Sequence, residues 1–341
     1  MIDLVVAGGG PAGLATAIRA ARAGLEVTVV EQRTGPIDKA CGEGLMPHAV
    51  RQLDLLGIRP AGKPFRGVSY LDGRRCVTSQ FGSGPGLGVR RTTLHAALQN
   101  EAAAAGITLV RGKIGAITQD AESVTVGVGR AGIRARYLAA ADGLHSPIRA
   151  GLGLDQPVGA TRRWGLKRHI AVAPWSDVVE VYWSAHTEAY VTPVADDCVG
   201  IAILTSQQGR FEQHLTAFPA LRERLDGLAY EPDRAAGPLR QKARRRVAGR
   251  VLLVGDAAGY VDALTGEGLG LAFAAARLLV DSVVADRPAD YERQWRRVTR
   301  RYRFLTAAML HASTSPLRSL IVPAADRLPR VFTGVVNLLA E

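Results

Sequence analysis

The chain has 341 residues, 47% of them hydrophobic, enough length for two domains and enough apolar content for a large core, which excludes a disordered polypeptide. Lysine and arginine number 43 against 31 acidic residues, a net charge of +12; this admits nucleic acid, an anionic membrane or acidic ligands and selects none, and an arginine-rich composition alone produces it. Cys41, Cys76 and Cys198 stand far apart with no C-x-x-C pair, which argues against a disulfide framework or a zinc site and for a reducing, cytoplasmic compartment.

In chain order, a β-prone run from Ile2 to Ala7 opens the sequence with no charged leader ahead of it, so no signal or transit peptide is expected. It meets Gly8, Gly10 and Gly13, then a predicted helix, then a second strand from Glu26 to Val30 ending on Glu31. This is G-x-G-x-x-G in its strand-to-helix context. Gly8 suits the tight turn, Gly10 lets a pyrophosphate approach the backbone, and Gly13 lets helix and strand pack closely. Phosphates would sit at the helix start beside Pro11 and Ala12, on the free N–H groups that follow Pro11, at the positive end of its dipole. Glu31, followed by Gln32, is placed to accept hydrogen bonds from ribose hydroxyls. The motif predicts a dinucleotide and leaves NAD and FAD open.

Thr34 to Pro47 (TGPIDKACGEGLMP) is glycine- and proline-interrupted and predicts a loop. A helix from His48 to Leu56, short strands within Gly67 to Phe81 and a glycine-rich turn from Gly82 to Gly88 follow. Leu94 and Leu98 give Arg90 to Ala105 helical periodicity, stopped by Gly106. Strands are predicted at Ile107 to Arg111, Ile114 to Gln119, Val124 to Val128 and Ile133 to Ala140. From about residue 155 to 245 the pattern becomes strand-rich, with Trp164 to Val172, Val178 to Trp183, Ala189 to Pro193 and Val199 to Leu204, then a helix from Gly209 to Leu225. A buried strand, Arg250 to Val254, and an apolar helix, Gly268 to Val284, restore the α/β signature. The remainder reads as helical, with breaks at Pro316, Pro323 and Pro329. The longest apolar run, Gly268 to Ala285, contains Arg277 and Asp281, so no membrane span is predicted. The fold expected is α/β: a Rossmann-like, discontinuous nucleotide-binding domain (1–66, 88–152 and 246–285), an inserted antiparallel-sheet substrate domain (67–87 and 153–245), and a C-terminal helical region (286–341).

Three further segments select FAD. Asp256 ends the strand VLLVGD, where a carboxylate can accept a hydrogen bond from the ribityl chain. The segment Thr265-Gly266-Glu267-Gly268-Leu269-Gly270 then opens a helix whose unpaired N–H groups suit the flavin's pyrimidine edge, where charge collects on reduction. A capped strand-to-helix turn explains Asp256 but not the glycines. Asp142 opens DGLHSPIR, and Arg91 opens RTTL at a helix start, where it would pair with pyrophosphate in competition with Arg90.

In this order these motifs resemble the para-hydroxybenzoate hydroxylase-type flavoproteins, a group that includes aromatic hydroxylases, geranylgeranyl reductases and flavin-dependent halogenases; the resemblance covers the chain to about residue 285. It implies that Gly8, Gly10, Gly13, Glu31 and Arg91 bind the ADP half of FAD. It also implies that Asp142 touches FAD near the entry of a transient NADPH or NADH, and that Asp256 contacts ribityl and flavin. The family usually has proline where Ala263 stands. No second G-x-G-x-x-G is present for a nicotinamide cofactor, as in single-component members, and a separate reductase stays open.

The segment Asp38 to Pro47 (DKACGEGLMP) is most similar to the geranylgeranyl reductase branch and to hydroxylases found with polyketide synthases. Cys41 and Gly42 are expected beside the flavin. Cys41 is a small flavin-facing residue rather than a nucleophile, having no local histidine, and Glu43 is either an acid–base group or a loop ion-pair partner. The segment Glu188 to Val194 occupies the place of a substrate-lining strand. It lacks the tryptophans of the halogenase W-x-W-x-I-P and reductase Y-x-W-x-F-P patterns and keeps Tyr190 and Thr192-Pro193, which disfavours a halogenase. Tyr190, Pro193 and Glu267 join Cys41 and Glu43 as substrate- or flavin-proximal candidates.

The activity expected is an FAD-dependent, NAD(P)H-using monooxygenase that hydroxylates a hydrophobic aromatic or polyketide-like molecule through a flavin C4a-hydroperoxide. Reduction of a polyprenyl double bond is the alternative, and a catalytically inactive flavin-binding module is the second. Arg293, Arg296, Arg297, Arg300 and Arg301 fall on one face of a predicted helix from Tyr291 to Met309, opposite Trp295, Val298, Tyr302, Leu305 and Met309. That face is either a peripheral contact with the inner face of an anionic membrane or a solvated surface over a core stripe. Nucleic acid is not expected, since no aromatic-rich strand accompanies the charge.

Overall fold

Residues 1–159 and 162–341 are described by a computed structural model. The apolar run at the N-terminus becomes a central strand, Ile2–Ala7, flanked in parallel by Ala131–Ala140 and Val27–Glu31. Its last four residues are fully buried, as expected of a parallel strand covered on both faces. The eight-stranded sheet continues outward through Thr108–Arg111 on one side and through Val251–Leu253 and Val247–Ala248 on the other. The hairpin Ile114–Gln119 and Val124–Val128 adds antiparallel to the long strand Ala131–Ala140. The register sets Ala7 level with Ala140 and Val30, and Leu253 level with Ala140. Gly8, Glu31, Asp142 and Asp256 therefore emerge together at the carboxyl ends of four strands, where open α/β sheets bind ligands.

A second sheet has seven strands in the order Arg234–Ala236, Trp164–Ala171, Cys198–Thr205, Thr187–Ala195, Val179–Trp183, Gly67–Leu71, Cys76–Gln80. It is antiparallel except where Val179–Trp183 lies parallel to Gly67–Leu71, two strands that arrive from separate parts of the chain. Alternation divides its side chains. Ala189 and Val191 face a core with Phe211, Leu215 and Leu221, whereas Val181, Trp183 and Tyr190 face one with Val322, Phe332 and Val336 of the C-terminal helices. A small sheet of Gly44–Leu45, Gly86–Gly88 and Lys63–Phe65 packs against Thr187–Ala195. At that contact a β-carbon on Gly88 would fall 1.7 Å from the Pro193 carbonyl oxygen.

Three local expectations are corrected. The helix expected over Gly209 to Leu225 is two, Phe211–Leu215 and Pro219–Leu225, because Pro219 cannot sit in a helix interior and instead occupies a first position. Gly86–Gly88 is a strand rather than part of a turn. Pro316 and Pro329 each open a helix, but Pro323 lies within Ile321–Arg327, in the first turn where a missing N–H costs nothing. No helix among the described residues is long and apolar enough to cross a membrane.

Candidate cofactor site

The three motif glycines each meet a different steric demand. Gly8 adopts φ +107°, and a β-carbon there would stand 2.5 Å from the Ala141 carbonyl oxygen. Gly13 packs its helix so tightly that a β-carbon would come within 1.9 Å of the Gly8 carbonyl. Gly10 faces open space. Pro11 opens the helix Pro11–Arg22 with no side-chain cap, which leaves the first-turn N–H groups, including Ala12 and Gly13, without intrahelical carbonyls.

The glycine turn borders a cleft of about 370 Å³ lined by Gly8, Gly10, Glu31, Gln32, Arg91 and Asp142, with Arg33, Lys39 and Lys113 at its walls. Glu31 is fixed before any ligand arrives, because its carboxylate accepts from the Gly9 N–H at 2.8 Å and the Arg33 N–H at 2.9 Å. The two adjacent arginines differ in their partners. Arg90 is paired with Glu231, whereas Arg91 lines the cleft and makes no ion pair among the described residues; each of the two buries an Nε without a partner. Lys39 joins Arg91 in the cleft; burial, with Arg33 and Arg91 nearby, lowers its pKa. Lys39 carried no sequence signal beyond lying in the 34–47 loop.

His95 was also missed. Fully buried, it accepts the Ile37 N–H at Nδ1 and donates from Nε2 to the Gly9 carbonyl at 2.7 Å, which braces the glycine turn. A lone histidine in a helix gives no such signal in sequence.

The two predicted aspartates behave differently. Asp142 lines the cleft, but its oxygens accept from the Ser146 hydroxyl at 2.6 Å and the Ile148 N–H at 3.0 Å. Its carboxylate thus shapes the DGLHSPIR turn. The Asp256 carboxylate accepts no hydrogen bond from the described residues, and burial raises its pKa against the opposing charges of Arg91 and Lys39. It remains available to a ligand.

Beyond the cleft, two loops face each other where the flavin ring was expected. Gly266, at φ +71°, points its missing β-carbon toward Met46 Cγ at 3.9 Å and the Gly44 carbonyl at 4.0 Å. The strand Thr187–Ala195 ties both loops down. Tyr190 donates its hydroxyl to the Leu264 carbonyl at 3.1 Å, and Thr192 donates to the Gly42 carbonyl at 2.9 Å. Gly268 and Leu269 begin the helix Gly268–Val284, for which Glu267 is the N-cap residue without capping through its side chain. Pro193 meets Gly88 through its carbonyl.

Glu43 is a buried ion-pair partner. It holds φ +59°, and its carboxylate accepts from the Arg91 N–H at 2.7 Å, Lys167 Nζ at 3.1 Å and His169 Nε2 at 2.6 Å. Against the cost of burial, His169 and Lys167 hold its pKa below the usual carboxylate range. His169 Nδ1 lies 3.0 Å from Glu231, and Lys167 also reaches Asp38. Cys41 Sγ accepts the Glu43 N–H at 3.4 Å. The set joins the Cys41 loop and the start of the Arg91 helix to the second sheet. Its members Lys167 and His169 lie more than a hundred residues from Glu43 and were not legible as partners.

These residues fit FAD: an open approach at Gly10, free helix N–H groups, two unpaired cations for a pyrophosphate, a fixed acid at the ribose position and an unpaired Asp256 beyond it. Among the described residues no cluster of His, Cys, Asp and Glu is arranged to hold a metal ion.

Comparison with known proteins agrees. The chain is similar to the menaquinone reductase of Mycobacterium tuberculosis, 28% identical with 98% of this chain and 91% of the relative covered. It is also similar to the 12-dehydrotetracycline 5-monooxygenase/anhydrotetracycline 6-monooxygenase of Streptomyces rimosus, 27% identical over 80% of this chain and 60% of the relative. Its fold matches a solved triple mutant of the flavin-dependent brominase Bmp2 with a TM-score of 0.85 at 15% identity, covering 100% of this chain and 94% of that one. The family described as FAD binding domain matches residues 1–285. The chain belongs to this family of FAD-dependent oxidoreductases.

Proposed function

We propose that the protein is a flavin-dependent reductase that saturates a carbon–carbon double bond in a hydrophobic, isoprenoid-type chain, drawing its electrons from NADPH or NADH captured transiently. The observation that carries this reading is the end-to-end match to a menaquinone reductase, 98% of this chain against 91% of the relative; menaquinone is a quinone bearing an isoprenoid chain. The sequence alone ranked hydroxylation first. That order is reversed here, because the tetracycline monooxygenase is matched over only 60% of its length.

When bound, FAD supplies the hydride. The protein's part is to hold and orient. Lys39 and Arg91 neutralise the pyrophosphate, Asp256 is offered to the ribityl chain, and the Tyr190 and Thr192 hydrogen bonds fix the two loops that would flank the ring. Hydroxylation of an aromatic molecule is the second reading, favoured by the absence of the reductase pattern's tryptophan from the strand Thr187–Ala195.

The test is turnover of FAD-loaded protein with a polyprenyl quinone, with oxygen excluded and then admitted. A product two hydrogens heavier that survives re-exposure to air supports chain reduction. A product one oxygen heavier, formed only in air, overturns it for hydroxylation, and a gain of two hydrogens lost in air marks reduction of the quinone ring instead. Bleaching of the flavin by NADPH or NADH alone, without added protein, distinguishes direct reduction from a separate reductase.

A further inference from the structure

Among the described residues, five of the ten large hydrophobic side chains that the fold leaves exposed lie between residues 304 and 331, so the exposure is concentrated on the C-terminal helices. Leu317, Leu320, Leu328 and Val331 are 53%, 54%, 55% and 59% exposed. Leu320 and Leu328 bracket the seven-residue helix Ile321–Arg327 and stand about 12 Å apart along its axis. Around that axis Leu320, Ala324, Arg327 and Leu328 fall within an arc of about 100°, while Val322 and Ala325 on the opposite side are buried. Leu317 lies one 3₁₀ turn before Leu320, where side chains eclipse.

The preceding helix, Pro288–Ser313, carries Phe304 at 71% exposure. Phe304 follows Arg297 and Arg300 by seven and four residues, which places it in the middle of the arginine face. That face is less free than its sequence implied: Arg293 pairs with Asp290, Arg296 with Glu292, and Arg301 bonds the Leu338 carbonyl. Arg297 and Arg300, with Arg327 and Arg330 beside the leucines, are exposed and make no ion pair among the described residues. The stripe of Trp295, Val298, Tyr302, Leu305 and Met309 is buried or half-buried and so unavailable to a partner.

We infer that the C-terminal helices dock on the surface of an anionic lipid bilayer, with Phe304, Leu317, Leu320, Leu328 and Val331 inserted at the acyl boundary and Arg297, Arg300, Arg327 and Arg330 at the headgroups. Charge selects this occupant. Four unpaired arginines on a chain of net charge +12 repel a second copy presenting the same face and are neutralised by anionic headgroups, while interfacial helices are defined by apolar residues alongside basic ones. The surface stands independently of which substrate the flavin site takes.

The test is flotation of the FAD-loaded protein with vesicles of phosphatidylcholine alone or mixed with phosphatidylglycerol, beside the variants Leu320→Glu/Leu328→Glu and Arg297→Glu/Arg300→Glu. Co-flotation with the mixed vesicles at low salt is expected, weaker on phosphatidylcholine and at high salt, and reduced at least tenfold in each variant with flavin content and melting temperature unchanged. No flotation of the unmodified protein at low salt overturns the inference, as does flotation of either variant like the parent. A dimer in gel filtration that the leucine variant makes monomeric, with no flotation, assigns the face to a second copy and overturns it too.

Discussion

Gly10 and Gly13 stand three residues apart around one helix start, yet a methyl group does different damage at each. At Gly13 it would meet the Gly8 carbonyl oxygen at 1.9 Å, backbone against backbone with no side chain to yield. Gly13→Ala should therefore cost stability, by about 1–3 kcal/mol or more, visible as a lowered melting temperature without any ligand. At Gly10 the backbone is extended and nothing lies within 4 Å. Gly10→Ala should fold like the parent and lose FAD affinity at least tenfold, because its methyl occupies the approach to the helix N–H groups; equal losses of stability in the two variants would contradict this. The two adjacent arginines divide in the same way. Arg91→Ala removes an unpaired cation from the cleft and should weaken FAD binding roughly ten- to a hundredfold, the worth of charge-assisted hydrogen bonds at about 1.5–3 kcal/mol. Arg90→Ala breaks a partly exposed pair with Glu231 and should leave FAD affinity within about threefold. Fluorescence titration of the flavin separates the two.

At the scale of elements, most strands and helices were legible because their signals are local. The central strand carries a continuous apolar run, Leu4 to Ala7, and the helix Gly268–Val284 falls where its apolar run placed it, while Pro219 broke a helix that the pattern alone would have continued. The cofactor motifs were legible for the same reason, each being a few residues long with its own steric logic. What sequence could not reveal is how elements are fastened together. Glu43 is the clearest case: it joins the Cys41 loop, the first N–H of the Arg91 helix and the strand Trp164–Ala171 through Lys167 and His169. A carboxylate that saturates a helix start, a buried lysine and a buried histidine is a fastening, and its partners are fixed only by the fold. Glu43→Ala leaves Lys167 and His169 facing a void and should destabilise the protein by about 3–5 kcal/mol. Glu43→Gln, which keeps the bond from the Arg91 N–H, should cost less. Urea unfolding of the two variants measures the difference, and equal midpoints would show that the retained bond from the Arg91 N–H contributes nothing and that the whole loss comes from removing the charge.

Across the whole molecule, His48 marks a junction that no single element defines. It sits on the helix Pro47–Asp54, stacks on Tyr302 of the helix Pro288–Ser313 at 5.6 Å, and covers Gly270, where a β-carbon would come within 1.8 Å of its ring. Glu267 lies 3.1 Å away, just ahead of the helix Gly268–Val284. The nucleotide-binding sheet's helices and the C-terminal helices therefore meet at a histidine and a glutamate with little water. Burial lowers the His48 pKa from 6.5 to about 4, Arg51 adding to the effect, and raises the Glu267 pKa well above its ordinary value against the opposing charge of Arg301. Burial favours the neutral form of each group, and the two act on stability in opposite directions. The Glu267 contribution is complete at low pH and is lost as pH rises through its raised pKa. The His48 contribution is complete above pH 6.5 and is lost as pH falls toward 4, because the unfolded chain takes up a proton that the folded one refuses. By pH 5 that loss is on the order of 2 kcal/mol. His48→Phe keeps an aromatic ring for Tyr302 and removes the titration, so the stability gap between variant and parent should shift in the variant's favour by that amount between pH 7 and pH 5, then level off below pH 4. Unfolding free energies measured in parallel at each pH provide the check; a constant gap across the range would mean that the imidazole binds its proton equally well in the folded and unfolded chains, and a gap that moves in the parent's favour as pH falls would mark a charged pair with Glu267 instead of apolar packing.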